Sequence, residues 1–222
     1  MSREARECTR QGEPAQPRRP ASPPQAPPRP GPNRAHPNRW RNTDREYGLV
    51  AVGLHWIGAA LIPSLFALGL YMTSLDYYHP WYRSAPEWHK GLGVLLTAAT
   101  VLRLGWRLLD PPPPPLTGRV WERRLAATVH WLLYVLILAA AASGYLISTA
   151  DGRPLPVLGL FEIPSVTGPV KNLEDAAGRI HALLAWTILA LVVLHVLGAL
   201  KHHLRDRDAT LRRMLGVRDE SI

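Results

Sequence analysis

Four long apolar stretches, separated by segments rich in proline, glycine and charge, organise this sequence. Each stretch is long enough to cross the hydrocarbon core of a bilayer as a helix, which takes about 20 residues. The proline and charge between the stretches end helices and favour an aqueous surface. The pattern predicts an all-α membrane protein built as a four-transmembrane-helix bundle. The predicted spans are residues 47–73, 88–109, 125–149 and 179–203, with a longer loop at 150–178.

The two ends of the chain lie outside this pattern. Residues 1–45 are dominated by proline and arginine and contain few apolar side chains. Such a segment cannot bury enough surface to offset the entropy of ordering it, so we predict a disordered N-terminal tail. Residues 46–215 form the predicted transmembrane domain, and residues 216–222 form a short C-terminal tail.

Positive charge is spread unevenly over the chain, whose formal net charge is +9. The N-terminal tail holds ten arginines, and the linker after the second span and the C-terminal end hold most of the others. The positive-inside rule therefore places both termini and the linker after the second span in the cytoplasm. Arginine at this surface favours membrane lipid as a partner. We expect no nucleic acid partner, because no folded basic domain follows the tail.

The histidines inside the spans are the candidate ligands for a redox metal. The single cysteine, Cys8, lies in the tail, so a cysteine-ligated iron–sulfur cluster is excluded. A histidine inside a span is costly to bury without a partner and marks a candidate functional site. His181 and His195 in the fourth span are fourteen residues apart, so they share a face and lie about 21 Å apart along the helix axis.

Depth in the membrane pairs these histidines with others. His55, early in the first span, lies at the cytoplasmic depth of His195, and His89, at the start of the second span, lies at the outer depth of His181. Each pair could hold one planar metallocofactor from both faces, as a bis-histidine haem requires, so we predict two haem b groups. Zinc fits less well, because its ligands cluster around one point.

Three further polar residues in the spans leave alternatives open. His130 also lies on the cytoplasmic side and competes with His55 as a ligand; we favour His55 because spans one and four flank the cofactor from opposite sides. His130 would otherwise bond a neighbouring helix or a haem propionate. Arg103 and Arg107, four residues apart on one face, either bind the propionates of the inner haem or anchor the helix by the positive-inside rule.

Several segments resemble the bacterial cytochrome b561 family of four-helix, di-haem inner-membrane proteins. The most specific segment contains His181, His195 and His202 and ends in the pattern D-x-T-L-x-R-M at 208–214. The resemblance covers residues 42–215. The other matching segments are LHW at 54–56, WHKGLGVLL at 88–96, VLRLGWRL at 101–108 and the run that begins HWLLYVL at 130.

The resemblance implies a function as well as a fold. Members hold two b haems by histidine pairs that match those above, and pass electrons between a periplasmic reactant and ubiquinone. One type oxidises superoxide at the outer face and reduces ubiquinone near the inner haem. Lys171 and Arg179, with Lys90, are candidates by location for the outer reactant site. The alternative is a cytochrome b membrane-anchor or relay subunit of a hydrogenase- or dehydrogenase-type complex.

His202 is the candidate quinone residue. It follows His195 by seven residues, two helical turns, and so lies on the same face about 10 Å nearer the cytoplasm. An imidazole there can hydrogen-bond a quinone carbonyl and supply a proton. In the superoxide-oxidising type of the family that this sequence resembles, a histidine at this position lies beside the quinone. The alternative is an interfacial side chain alongside Lys201 and His203.

Overall fold

The computed structural model describes residues 39–116 and 119–217, and its core is a bundle of four long helices. All four are long and apolar enough to cross a membrane, which confirms the predicted four-helix membrane architecture. The predicted disordered tail lies outside the described residues up to residue 38, as do residues 218–222. The helices are α1 Leu49–Thr73, α2 Ser84–Leu109, α3 Val120–Thr149, α4 Leu173–Leu204 and a short α5, Thr210–Met214.

Three helices begin earlier than the apolar pattern predicts. The first turn of α2 contains Glu87, that of α3 contains Glu122, and that of α4 contains Glu174 and Asp175. Acidic side chains near a helix N-terminus interact favourably with the helix dipole. The apolar run therefore marks the part of each helix in hydrocarbon, and the helix continues beyond it into the polar interface.

The helices pack as two antiparallel pairs. α1 runs along α2, α3 runs along α4, and α2 also contacts α3. α1 and α4 approach each other at few points. The outer surface of the bundle exposes large apolar side chains such as Val135 and Leu183, as expected for helices that face lipid. The space between the two helix pairs is therefore where side chains from both pairs can meet.

The loop between α3 and α4 contains a β-hairpin that the sequence pattern did not predict. Strand β1, Leu155–Val157, pairs antiparallel with β2, Phe161–Ile163. Leu158 and Gly159 between them both have positive φ, as the tight turns that match strand twist require. The side chain of Leu158 occupies the place that a Cβ on Gly91 of α2 would take. The hairpin therefore covers the outer end of α2.

Residues 39–48 fold against the inner end of α2. The buried Asp110 accepts hydrogen bonds from Arg41 Nε at 3.2 Å and from the Asn42 backbone N–H at 2.7 Å. The Asn42 side chain in turn accepts from the Gly48 N–H at 2.8 Å. Residues 39–45, which the sequence assigned to the tail, are thus part of the folded domain, because the Asp110 carboxylate gives their polar groups partners.

The short helix α5 folds back onto the inner end of the bundle. Trp56 Nε1 of α1 donates to the Met214 carbonyl at 2.8 Å, and Arg213 Nη1 donates to the Pro114 carbonyl at 3.1 Å. Asp208 Oδ1 accepts from the Thr210 N–H at 2.9 Å at the start of α5. The D-x-T-L-x-R-M pattern therefore makes a chain reversal that covers the inner end of the bundle.

Candidate cofactor-binding sites

Each long helix carries two residues of the candidate site, and these two are fourteen residues apart in the sequence. Fourteen residues are nearly four turns, so the two positions share a face and lie about 21 Å apart. Because neighbouring helices run in opposite directions, the eight positions form an inner and an outer level. The inner positions are His55, Arg103, His130 and His195, and the outer positions are Gly69, His89, Gly144 and His181.

The outer level brings His89 and His181 together. Their ring centres are 6.1 Å apart. His181 Nδ1 lies 2.9 Å from the Ala140 carbonyl and 3.0 Å from Ser143 Oγ. A carbonyl only accepts, so Nδ1 carries the proton and Nε2 keeps its lone pair. These contacts therefore occupy Nδ1 of His181 and leave Nε2 as the nitrogen that could bind a metal.

A glycine lies against each outer imidazole. A Cβ on Gly69 of α1 would lie 3.3 Å from Cε1 of His89, and a Cβ on Gly144 of α3 would lie 3.3 Å from Cε1 of His181. These distances are shorter than comfortable side-chain packing. Both glycines therefore allow a neighbouring helix to approach the ring, and the sequence pattern alone gave no role to Gly69.

A cavity of about 1190 Å³ opens beside the outer pair. It exceeds the roughly 300–1,000 Å³ of ordinary small-ligand pockets, so it has room for a ligand as large as a macrocycle. Gly93, one turn after His89, lines it and has open space where a Cβ would stand. The rest of the lining is mainly aliphatic, including Leu96 and Leu189. A flat apolar ring system fits this chemistry.

The inner level brings three imidazoles together. The ring centre of His195 lies 6.2 Å from that of His55 and 5.0 Å from that of His130. His130 Nδ1 donates to the Ala126 carbonyl at 2.7 Å, which fixes its tautomer. His55 Nδ1 is buried without a hydrogen bond among the described residues. α1 and α4 thus face each other through His55 and His195, and α3 adds His130 from the side.

The two larger of these ring-centre distances are suitable for a pair of histidines that binds one metal. Imidazoles that bind one metal from opposite sides through bonds of about 2.0 Å hold their ring centres roughly 6.3 Å apart. The pairs His55–His195 and His89–His181 both meet this requirement. The 5.0 Å between His130 and His195 is too short for it. The residues therefore fit two bis-histidine cofactors, and the geometry favours His55 over His130 as the inner partner of His195.

Arg103 and Arg107 lie at the inner end of α2, where an anion would find positive charge. The Arg103 guanidinium lies 5.9 Å from the centre of the Tyr134 ring. Neither arginine forms an ion pair with any acid in the described ranges 39–116 and 119–217. Burial raises the pKa of the nearby Tyr47 phenol, although Arg107, Arg213 and Arg103 act in the opposite direction. Tyr47 therefore remains a neutral hydrogen-bond donor beside these cations.

His202 lies at the end of α4 and is held by two carboxylates. Its Nδ1 lies 3.0 Å from Oδ2 of Asp206 and 3.0 Å from Oδ2 of Asp208. Lys201 next to it bridges Glu122 of α3 at 2.8 Å and Asp206 at 2.9 Å. Sequence spacing on α4 could find His202 but not the aspartates, because they approach it only through the chain reversal into α5.

Of the three basic residues predicted for the outer site, only Lys90 lines the outer cavity. Lys171 and Arg179 are exposed and are not among the residues that line the outer cavity. Lys90 lines it together with the acids Asp151 and Glu174. The Arg153 backbone N–H and guanidinium lower the pKa of Asp151, so this carboxyl is ionised at neutral pH. The outer opening therefore combines both signs of charge.

A family model described as prokaryotic cytochrome b561 matches residues 46–217. The chain belongs to this family. The matched residues include all four long helices and α5, and with them both levels of the site. Membership identifies the protein as a membrane electron-transfer protein of a haem b family, which accords with the chemistry of its histidine pairs.

Relatives within the cytochrome b561 family cover almost the same part of the chain. Cytochrome b561 homolog 2 of Escherichia coli K12 is 47% identical over 176 residues, which are 79% of this chain and 94% of the relative. The protein named Probable superoxide oxidase CybB of Yersinia pestis is 28% identical over 172 residues, 77% and 96% of the two chains. Cytochrome b561 homolog 1 of E. coli K12 is 28% identical over 167 residues, 73% and 92%.

Proposed function

We propose that this protein holds two b haems and carries electrons across a bacterial inner membrane, from a periplasmic donor to ubiquinone. The observation that carries the proposal is the repeated imidazole pairing, with ring centres 6.2 Å apart for His55–His195 and 6.1 Å apart for His89–His181. One pair lies at each level of the bundle, so a one-electron carrier at each level gives a path across the membrane.

Four side chains would serve as the haem ligands. His55 and His195 would hold the inner haem, and His89 and His181 the outer one. Bound there, haem b supplies a reversible one-electron carrier, whose potential depends on its ligands and burial. The hydrogen bond from His181 Nδ1 to Ala140 keeps the ring in its ligating tautomer.

The inner haem would have further polar neighbours. Arg103 and Arg107 would pair with its carboxylates, since no described acid neutralises them. His130, with Nδ1 held by Ala126, presents its other nitrogen at the same level and would hydrogen-bond the haem periphery rather than its metal. These contacts would raise affinity for a dianionic cofactor at the positive end of the bundle.

Superoxide is the proposed periplasmic donor. The support is the likeness to the relative named as a probable superoxide oxidase. Each superoxide gives up one electron and becomes dioxygen, so two are needed for each ubiquinone reduced. Lys90 at the outer cavity, with the exposed Lys171 and Arg179 beyond it, would raise the local concentration of this small anion.

Ubiquinone is the proposed acceptor at the inner level. His202 lies two turns beyond His195 on α4, with Nδ1 engaged by Asp206 and Asp208. Its other nitrogen is left to bond a quinone carbonyl at the membrane boundary. The side that holds both termini would be the cytoplasm, where the two protons of ubiquinol formation are taken up.

A haem count on purified protein tests the proposal. A pyridine haemochrome assay should give two b haems per chain, and a value of one or none would contradict it. Superoxide should then reduce the haems, a reaction that superoxide dismutase abolishes, and a soluble ubiquinone analogue should reoxidise them. If superoxide does not reduce the two haems, but a copurifying hydrogenase or dehydrogenase does, the result would instead support the alternative of a membrane-anchor or relay subunit.

A further inference from the structure

We propose that Asp208 positions and charges His202 for proton delivery to the quinone, a role that rests on the proposed function of His202 as the quinone residue. Asp208 is a positioning residue: it acts through the imidazole and would not touch the quinone itself. Three observations support this role. They are the contact between Asp208 Oδ2 and His202 Nδ1, the burial of the Asp208 side chain, and the hydrogen bond from the Thr210 N–H that holds Asp208 Oδ1.

The geometry fixes the direction of the imidazole. Asp208 Oδ2 lies 3.0 Å from His202 Nδ1, and Asp208 Oδ1 accepts from the Thr210 N–H at 2.9 Å. Both carboxylate oxygens are thus engaged, one by the backbone of α5 and one by the ring. The carboxylate is held from two sides, so the ring it binds is held too, and Nε2 points away from the pair.

Burial makes this carboxylate the stronger of the two partners. The Asp208 side chain is 6% exposed, and that of Asp206 is 28% exposed. An ionic interaction is stronger where less water surrounds it. Asp208 therefore contacts the His202 ring in the less aqueous surroundings of the two carboxylates.

The arrangement can move one proton per cycle. Reduction of ubiquinone to ubiquinol takes two electrons, which two superoxide donors would supply one at a time by way of the bound haems, and two protons, of which His202 would deliver one and cytoplasmic water the other. Protonated His202 donates its Nε2 proton to the quinone oxygen beside it and becomes neutral, with its remaining proton on Nδ1 facing Asp208. Water at the cytoplasmic surface then returns a proton to Nε2. A carboxylate behind an imidazole serves the same purpose in hydrolases.

Each element packed around His202 contributes a charged side chain. α3 brings Glu122, which interacts electrostatically with His202. α4 brings Lys201, which bridges Glu122 and Asp206. The turn after α4 brings Asp206, and the start of α5 brings Asp208. These three carboxylates and the Lys201 ammonium therefore surround the imidazole.

The test is the pH profile of haem reoxidation by a soluble ubiquinone analogue in the purified full-length holoprotein. Asp208→Asn removes the charge but keeps an oxygen that can accept from the Thr210 N–H at the start of α5. We expect at least about tenfold slower reoxidation at alkaline pH and an alkaline limb displaced by roughly one pH unit toward acid. Asp208→Glu should restore part of the rate. Asp206→Asn, which removes the more exposed of the two carboxylates, should slow reoxidation less than Asp208→Asn does.

The outcomes separate this inference from the proposed function. If wild-type protein does not reduce the quinone, or His202→Ala does so at the wild-type rate, the quinone site itself is wrong. If His202→Ala is slow and Asp208→Asn keeps the wild-type rate and profile, the role of Asp208 is overturned. In a His202→Ala background, Asp208→Asn should have no further effect, because its action passes through the ring. An equal loss in both backgrounds would contradict that.

Two controls keep the result interpretable. EDTA in all buffers removes any divalent metal bound by His202, Asp206 and Asp208, whose ligand atoms lie close enough together to hold one. The haem spectrum of each variant reports folding. Should Asp208→Asn lose its haems, Asp208→Glu carries the same test: it keeps the charge but moves the carboxylate, so an unchanged rate and pH profile would overturn the positioning role.

Discussion

Gly144 of α3 lies directly against the imidazole of His181 on α4, and a Cβ at this position would lie 3.3 Å from His181 Cε1. The same ring is hydrogen-bonded by the Ala140 carbonyl, one turn earlier on α3. One helix therefore both orients the ring and leaves it room. Gly69 of α1 has the corresponding place beside His89. The outer pair depends on glycines as much as on histidines.

A larger side chain at position 144 should displace the His181 ring and remove the outer haem. We expect Gly144→Leu to retain about one haem per chain, because the inner pair lies about 21 Å away. Gly144→Ala should cause a milder loss. The reduced-minus-oxidised spectrum with a pyridine haemochrome assay measures this. Gly53→Leu is the control, because Gly53 is exposed and has open space around it; an equal loss there would contradict the explanation.

The ligand pairs should be separable by single substitutions. His89→Ala should lose the outer haem and keep most of the inner one, and His195→Ala should do the reverse, since each side chain belongs to one level. His130→Ala should keep both haems, because its ring lies only 5.0 Å from that of His195. Haem stoichiometry and low-temperature spectra distinguish these outcomes. Loss of the inner haem in His130→Ala, with retention in His55→Ala, would make His130 the ligand.

The helical part of the fold follows closely from hydrophobic length. A helix that crosses lipid must make its backbone hydrogen bonds within itself and expose apolar side chains. Its apolar run can therefore be recognised directly in the sequence. The helix ends were less accurate, because turns such as Ser84–Glu87 are polar and lie outside hydrocarbon. The β-hairpin was missed, because strands of three residues are too short for an alternating pattern to be recognised.

The site could be predicted where its residues lie on one helix and not where separate segments meet. Helical spacing alone gives the fourteen residues between His181 and His195. The contacts of Asp110 with Asn42 and of Asp208 with His202 depend on chain reversals that have no periodic pattern. The choice between His55 and His130 depended on ring distances, which helix packing determines. The assignment of ligands stays a prediction until the haems are counted.

Quinone reactivity should depend on His202 and not on its neighbour. His202→Ala should keep both haems and their reduction from the outer side, but reoxidation by a ubiquinone analogue should slow at least about tenfold, the effect of losing about 1.4 kcal/mol of transition-state stabilisation. His203→Ala is the matched control, because this exposed histidine is the next residue on α4. Stopped-flow reoxidation measures both. A slow His203→Ala with a normal His202→Ala would move the site to His203.

The inner end of the domain should depend on Asp110. Asp110→Ala removes the acceptor of Arg41 Nε and the Asn42 N–H from a buried position, so we expect a loss of roughly 1.5–3 kcal/mol of unfolding free energy. Trypsin should also cleave faster after Arg45, since residues 39–48 lose their attachment. Thermal unfolding in detergent measures the first effect. Asp151→Ala is the control, because its ion pair with Arg153 is exposed and should contribute nothing measurable.

The proposed orientation can be tested with the single native cysteine. The positive-inside rule predicts that Cys8, in the arginine-rich tail, lies in the cytoplasm, so a membrane-impermeant maleimide should not label it in intact spheroplasts. In a Cys8→Ser background, a cysteine replacing Val166 should be labelled, because this side chain is 79% exposed in the loop between α3 and α4 on the proposed periplasmic side. Detergent lysis should make Cys8 reactive and so control for accessibility. Labelling of Cys8 in intact spheroplasts, with protection of the cysteine at 166, would show that the protein has the opposite orientation in the membrane. It would then place His202 on the periplasmic side and the outer cavity on the cytoplasmic side, so superoxide from the periplasm could no longer be the donor at His89 and His181.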